Sequence, residues 1–147
     1  MRKRFLVSLL SSLLFSLLFS FFSYTPESQR SPDTYYFGIW ESFFITLIYV
    51  TPIYLIIGMP ISFVIDIWLN HQKKWEARSY LLKVGIYSIV SVIPALIIFI
   101  VLNFGVSPFS LQSFLMTILL SAIASNLFFH VQIIVDRISL KMKKGNI

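Results

Sequence analysis

Four apolar runs separated by short polar segments constrain the fold of this chain more than any other feature. They extend over residues 5–24, 42–65, about 84–102 and about 109–135. A helix needs about 20 apolar residues to cross the hydrocarbon core of a bilayer, and each run is close to that length or longer. We therefore predict an all-α fold, an integral membrane bundle of four transmembrane helices that forms a single domain over residues 1–147.

The charge content agrees with this prediction. Only 12% of the residues are charged, about half the fraction that is usual in a soluble domain. The net charge is +6, but basic residues indicate nucleic-acid binding only when they cluster on one water-facing surface. Here they fall in short groups between the apolar runs. We therefore expect the lipid bilayer as a partner, and no nucleic acid.

The distribution of basic residues predicts the orientation of the spans, because cytoplasmic loops retain Lys and Arg. With four spans, the N-terminal tip, the middle loop and the C-terminal tail lie on the same side. These three segments hold eleven of the twelve basic residues: Arg2, Lys3, Arg4, Lys73, Lys74, Arg78, Lys83, Arg137, Lys141, Lys143 and Lys144. The remaining one, Arg30, follows the first run. We predict a cell-membrane protein with both termini in the cytoplasm.

The first run, "FLVSLLSSLLFSLLFSFFS", follows a basic tip and so begins like a secretory signal peptide. A signal peptide has an apolar segment of about 7–15 residues and a small-x-small cleavage site. This run is longer, and the small pair Ser23 and Thr25 near its end is followed by Pro26, which disfavours cleavage. We expect a retained first span. Cleavage, the alternative, would leave the other three spans in the same orientation.

Small hydroxyl residues recur every four positions in the first and fourth runs, so each set lies on one side of a helix. The first stripe is Ser8, Ser12, Ser16 and Ser20, and the second is Ser113, Thr117, Ser121 and Ser125. Such stripes let two membrane helices approach closely and bond across the contact. We predict an antiparallel contact between these stripes, with Ser8 near Ser125 and Ser20 near Ser113. Two alternatives stay open: one stripe faces a second copy of the chain, or the hydroxyls only bond their own helix.

Three prolines lie inside the predicted spans, at Pro52, Pro60 and Pro94, and Gly58 lies close to Pro60. Proline removes a backbone N–H and clashes with the preceding turn, so we predict kinks, with the sharpest at "IIGMP". Transporters use broken helices at substrate sites, but kinks also simply shape bundles, whose neighbouring groups re-satisfy the backbone. No charged residue lies at the same depth, which favours the second interpretation.

Asn126 and His130 are four residues apart and share one face of the fourth run. Such side chains commonly hydrogen-bond between membrane helices, and we predict that role here. A catalytic or metal site needs further partners within reach. The chain has no cysteine, and its other histidine, His71, lies in the middle loop. We therefore expect no catalytic residue, no metal and no cofactor.

Glu41 and Asp66 lie at the two ends of the second run. An ionisable residue well inside the bilayer would indicate a functional site. At the ends of a span, anchoring at the membrane boundary is the favoured interpretation.

The basic N-terminal tip, the four spans, "GMPISFVID" at the end of the second span and the Lys-rich tail resemble an uncharacterised family of small membrane proteins of Gram-positive bacteria. The resemblance covers the whole chain. It implies the four-span topology in a bacterial cell membrane and carries over no activity and no site residues.

We expect a non-enzymatic accessory, regulatory or immunity-type factor that acts through contacts with other membrane proteins or with itself. The alternatives are a small oligomeric permease or pore that uses the kinked second span, and an intramembrane enzyme.

Overall fold

The computed structural model describes residues 2–71, 80–103 and 110–145. Helix makes up 89% of the structure, and the described part contains no strand. The helices are α1 (Arg2–Ser23), α2 (Ile39–Ile53), α3 (Met59–His71), α4 (Tyr80–Val90), α5 (Val92–Asn103) and α6 (Leu111–Gly145). A π-helical turn (Tyr54–Gly58) joins α2 to α3, and a 3₁₀ turn (Glu27–Gln29) lies between α1 and α2. The all-α prediction is confirmed.

Within residues 2–71, 80–103 and 110–145, four helical stretches are long and apolar enough to cross a membrane, which agrees with the predicted number. They are Arg2–Ser23, Ile39–Trp68, Tyr80–Val101 and Leu111–Met142, and we refer to them as spans 1 to 4. Helix α6 continues well past the end of its apolar run at residue 135, because the tail is rich in Lys, Arg, Leu and Met, which are good helix formers. The predicted loop residues Lys73, Lys74 and Arg78, and the start of the fourth run at residue 109, lie outside the described residues.

The spans pack in the order 2–1–4–3. Helix α1 lies against α2, the π-helical turn and α6, and α6 lies against α4 and α5. Within the described residues, spans 2 and 3 make only marginal backbone contact with each other. The arrangement therefore leaves an opening between spans 2 and 3.

The bundle buries small polar side chains and exposes large apolar ones. Seven serines are at most 2% exposed: Ser8, Ser11, Ser12, Ser16, Ser20, Ser62 and Ser91. In contrast, Ile48, Ile56 and Ile89 are between 70% and 74% exposed. Isolated apolar side chains are common on protein surfaces, but serine is not a usual core residue in water. Small residues at helix contacts and large apolar ones outside are typical of bundles in an apolar medium.

Aromatic rings of spans 2 and 3 pack against aromatic rings of span 4. Tyr54 of the π-helical turn stacks on Phe128 of α6 with ring centroids 5.9 Å apart, and Tyr87 of α4 lies 5.0 Å from Phe129 of α6. The Tyr54 hydroxyl donates to the Ala124 carbonyl oxygen at 2.8 Å. A buried tyrosine needs such a partner, so this bond fixes the π-helical turn against α6.

Glu41 caps the start of α2. Its Oε2 accepts a hydrogen bond from the Gly38 backbone N–H at 3.0 Å and another from the Tyr35 hydroxyl at 3.1 Å. The bond and the negative charge of Glu41 both raise the pKa of Tyr35 above its ordinary value. A carboxylate in the first turn also complements the positive end of the helix dipole. Glu41 therefore stabilises a helix start in addition to lying at the end of a span.

Candidate functional site

A polar network joins all four spans at the end of the bundle where α1 begins. Its centre is the carboxylate of Asp66 on α3. Oδ2 of Asp66 accepts a hydrogen bond from Nη2 of Arg4 on α1 at 2.8 Å and from Nε2 of Gln132 on α6 at 3.0 Å. Arg4 and Asp66 form an ion pair whose side chains are 24% and 30% exposed. The ion pair is thus partly buried.

Gln132 connects this ion pair to two buried hydroxyls. Its Oε1 lies 3.0 Å from Ser62 Oγ on α3 and 3.2 Å from the Tyr87 hydroxyl on α4, and the two hydroxyls are 3.0 Å apart. Ser62 and Tyr87 have one hydroxyl proton each, so only two of these three contacts are hydrogen bonds at any one time. Either hydroxyl can donate to Gln132 while the other donates to its neighbour. The network therefore ties span 3 to spans 2 and 4 through side chains.

Local helix geometry explains why these residues meet. Ser62 and Asp66 are four residues apart on α3, so they project from the same face. Arg4 lies in the first turn of α1, with its guanidinium carbon 4.8 Å from the centre of the Phe63 ring. This cation–π contact holds the guanidinium beside Asp66.

A cavity of about 520 Å³ lies beside the ion pair. It is lined by Arg2, Lys3, Arg4, Val7, Asp66, Gln132 and Asp136. Three cationic and two anionic side chains line it, so its wall does not select strongly for one sign of charge. Within the described residues, no group of three His, Cys, Asp or Glu side chains is placed to hold a metal ion.

The first serine stripe is buried, and one of its members bonds to span 2. All four of its members are fully buried, and Ser12 Oγ accepts a hydrogen bond from the Thr51 hydroxyl of α2 at 3.1 Å. Ser8, Ser12 and Ser20 also donate to carbonyl oxygens of α1 itself. Close packing of this stripe therefore coexists with hydroxyl bonds inside its own helix.

The second stripe bonds to span 3 and to its own helix. Ser121 Oγ donates to the Ser91 carbonyl at 2.8 Å, and Ser125 Oγ donates to the Tyr87 carbonyl at 2.9 Å. Thr117 donates to the Ser113 carbonyl within α6. Ser113 is exposed.

Among the described residues, the hydroxyl bonds of the two stripes do not join the stripes to each other. Spans 1 and 4 do lie side by side, but Ser20 is buried whereas Ser113, its predicted partner, is exposed. A four-residue spacing selects a face of a helix, and the neighbour that meets that face depends on how the other spans pack.

The proline-containing segments coincide with irregular helix. The π-helical turn (Tyr54–Gly58) ends two residues before Pro60, within the predicted "IIGMP" kink, and Pro52 lies in the last turn of α2. The boundary between α4 and α5 falls at Ser91, three residues before Pro94. An alanine at Gly58 would place its Cβ 3.5 Å from Tyr54 Cδ1 and 4.0 Å from the Phe128 ring, which is ordinary contact. Gly58 is therefore not required there by close packing.

Asn126 and His130 form two separate polar contacts with α4. Asn126 Nδ2 donates to Ser88 Oγ at 2.8 Å. His130 Nδ1 lies 2.7 Å from the Asn126 carbonyl, which can only accept, so Nδ1 carries the proton in that bond. Nε2 of the same ring is hydrogen-bonded to the Tyr80 hydroxyl. These contacts join span 4 to span 3.

The network of Arg4, Ser62, Asp66, Tyr87 and Gln132 was not predicted from the sequence. In the sequence, Arg4 indicates orientation and Asp66 indicates anchoring at the membrane boundary, whereas in the structure the two side chains form an ion pair. The available signal was the presence of opposite charges at the same predicted depth in spans 1 and 2, with a serine four residues before Asp66. Comparisons of the chain with known protein families, with curated proteins and with solved structures find no match.

Proposed function

We propose that this chain is a multi-pass protein of the cell membrane with both termini in the cytoplasm. Its four apolar spans and its exposed large apolar side chains support insertion into lipid. Its eleven basic residues in the tip, the middle loop and the tail support the orientation. In this setting the Arg4–Asp66 pair lies near the cytoplasmic boundary of the bilayer.

The absence of native cysteine makes the orientation directly testable. A single cysteine is introduced either at Ser28, exposed in the 3₁₀ turn, or at Met142, exposed near the end of α6. In intact cells, a membrane-impermeant maleimide should label Ser28→Cys and leave Met142→Cys unlabelled. Both variants should react after permeabilisation. The reversed pattern would refute the orientation, and labelling of both in intact cells would refute the four-span topology.

In this membrane the protein acts as a non-enzymatic accessory, regulatory or immunity-type factor through contacts with another membrane protein. The network of Arg4, Ser62, Asp66, Tyr87 and Gln132 carries this proposal. The hydrogen bonds among these five side chains hold the four spans together, although Arg4 Nη1 is buried without a hydrogen-bond partner among the described residues. The described bundle is thereby a preformed unit whose outer surface is left for contacts.

Site-specific photocrosslinking in cells tests the contact role. A photoreactive residue replaces Ile48, which is 70% exposed on α2, or as a control Val7, which is 2% exposed on α1. We expect a discrete adduct with one other protein from position 48 and none from position 7. A ladder at multiples of 17.0 kDa would indicate self-association instead, and adducts with lipid alone would contradict the proposal.

The π-helical turn (Tyr54–Gly58) and the opening between spans 2 and 3 favour a second candidate, a small oligomeric permease or pore. Irregular turns of this kind often occur at functional sites. This candidate requires that the purified protein alone moves a solute across liposome membranes, and that Pro60→Ala abolishes the movement at equal incorporation. An accessory factor would move none.

A further inference from the structure

A second cavity lies within the opening between spans 2 and 3. Its volume is about 220 Å³, and α6 forms its floor. Ile53 and Ile57 lie on the span 2 side, Val90 and Pro94 lie on the span 3 side, and Phe128 lies on the floor. We call this space the 2–3 cleft. An enclosed apolar cavity of about 150 Å³ is enough to hold a molecule of the size of benzene, so the cleft has room for several carbon atoms of an apolar ligand.

Two breaks in helix geometry create the cleft. The π-helical turn interrupts span 2 at Tyr54–Gly58, and the helix boundary at Ser91 interrupts span 3. Both breaks border the cleft. Within the described residues, few backbone positions of spans 2 and 3 come within 8 Å of each other.

The wall of the cleft does not call for a polar ligand. It is almost entirely apolar, and the hydroxyl protons on it are already used. Tyr54 donates to the Ala124 carbonyl, Ser121 to the Ser91 carbonyl and Ser125 to the Tyr87 carbonyl. A cavity without convergent polar partners does not hold ordered water. The matching occupant is an apolar group.

The size of the cleft restricts the shape of that group. Near Arg4 of α1, the hydroxyl oxygens of Ser62 in span 2 and Tyr87 in span 3 lie 3.0 Å apart. This bond ties the two spans together beside Tyr87, which lines the cleft. A helix with its side chains is about 10–12 Å wide, so a cavity of about 220 Å³ is too small to admit a helix from another protein. A thin, flexible hydrocarbon chain can enter.

We propose that the 2–3 cleft binds one acyl chain of a membrane phospholipid. The proposal rests on the membrane insertion proposed above, because only in a bilayer does the cleft face a high concentration of acyl chains. The bound chain fills the space between Ile53 and Ile57 of span 2 and Val90 and Pro94 of span 3.

Photolabelling tests this site. The full-length protein is reconstituted into phosphatidylglycerol vesicles that contain a trace of a phospholipid with a diazirine in one acyl chain. After irradiation, labelled residues are identified by mass spectrometry. We expect label on Ile57 and Val90 in the cleft, in addition to the outward-facing Ile56 and Ile89, which are 72% and 74% exposed.

Matched substitutions separate the cleft from the general lipid surface. Ile57→Trp fills the cleft and should lower the labelling of Val90 at least fivefold, whereas Ile56→Trp, on the neighbouring outward residue, should leave it unchanged. In the reciprocal pair, Val90→Phe should lower the labelling of Ile57, whereas Ile89→Phe should leave the labelling of Ile57 unchanged. The two pairs of variants lie on different spans. If one variant does not fold, the other pair still tests the lipid site.

The outcomes distinguish this proposal from the one on which it rests. Label on Ile56 and Ile89 without label on Ile57 and Val90 would refute the lipid site and leave membrane insertion intact. Equal labelling of Val90 in Ile57→Trp and Ile56→Trp would refute it as well. Absence of label from the outward residues too would refute insertion, and the lipid site with it.

Discussion

Replacing Asp66 by alanine is expected to lower the free energy of unfolding of the detergent-solubilised protein by about 2 kcal/mol. The change removes the oxygen that accepts from both Arg4 and Gln132. Removing one partner of a buried ion pair costs about 3–5 kcal/mol, because the other charge stays buried and unpaired. Exposed pairs contribute only about 0–1 kcal/mol. Exposures of 24% and 30% place this pair between the two cases.

Asp136→Ala is the matched control, since Asp136 is exposed and lines the same cavity. Its effect should stay within about 0.5 kcal/mol, as for most surface substitutions. The double variant Arg4→Leu, Asp66→Leu should be more stable than Asp66→Ala, because it leaves no unpaired guanidinium. Unfolding is followed by circular dichroism as a function of denaturant. Equal losses for Asp66→Ala and Asp136→Ala would show that the ion pair does not stabilise the bundle.

The number of spans was predictable because it depends on a local property of the chain. About 20 apolar residues in sequence suffice to specify a membrane-length helix whatever its neighbours are. The four runs accordingly match the four spans found in the described residues, and the boundaries of runs and spans differ by several residues. At those boundaries, helix-forming charged residues extend the helix beyond the apolar run, as they do in the tail of α6.

The hydrogen-bond partners of the serines could not be predicted from the sequence, because they depend on the packing of the whole bundle. The regularly spaced serines of α1 lie on a face that is buried. The spacing of the serines could not identify Thr51 as the partner of Ser12, nor the carbonyl oxygens of α4 and its boundary as the partners of Ser121 and Ser125. Hydroxyls bond to any acceptor within reach, and a helix offers many.

The ion pair illustrates a second reason. Arg4 and Asp66 are 62 residues apart in sequence, and charged residues at the ends of spans have a sufficient explanation in orientation and anchoring. Only the positions of α1, α3 and α6 in space show that their charged and amide groups converge. The depth of Arg4 and Asp66 in the bilayer could be inferred from the sequence, but their closeness to each other within the bundle could not.

Replacing both Ser12 and Ser16 by leucine is expected to destabilise the protein by about 3 kcal/mol. Both side chains are fully buried, and inserting extra carbon atoms into a close-packed contact typically costs about 1–3 kcal/mol per site. In an apolar medium, burial of the added leucine gains little to offset that cost. Denaturant unfolding measures the effect, with Ser113→Leu as the control, because Ser113 is exposed and should tolerate the same change.

Alanine at position 16 separates the size of the serine from its hydroxyl. Ser16 Oγ is buried with no hydrogen-bond partner among the described residues, so Ser16→Ala keeps the close approach of the helices and removes an unsatisfied polar group. Its stability should equal or exceed that of the original protein, by up to about 1 kcal/mol. Ser12→Ala, which loses the bond from Thr51, should cost about 1 kcal/mol. If Ser16→Ala were as damaging as leucine at the same position, the hydroxyl and not the small volume would be what holds spans 1 and 2 together.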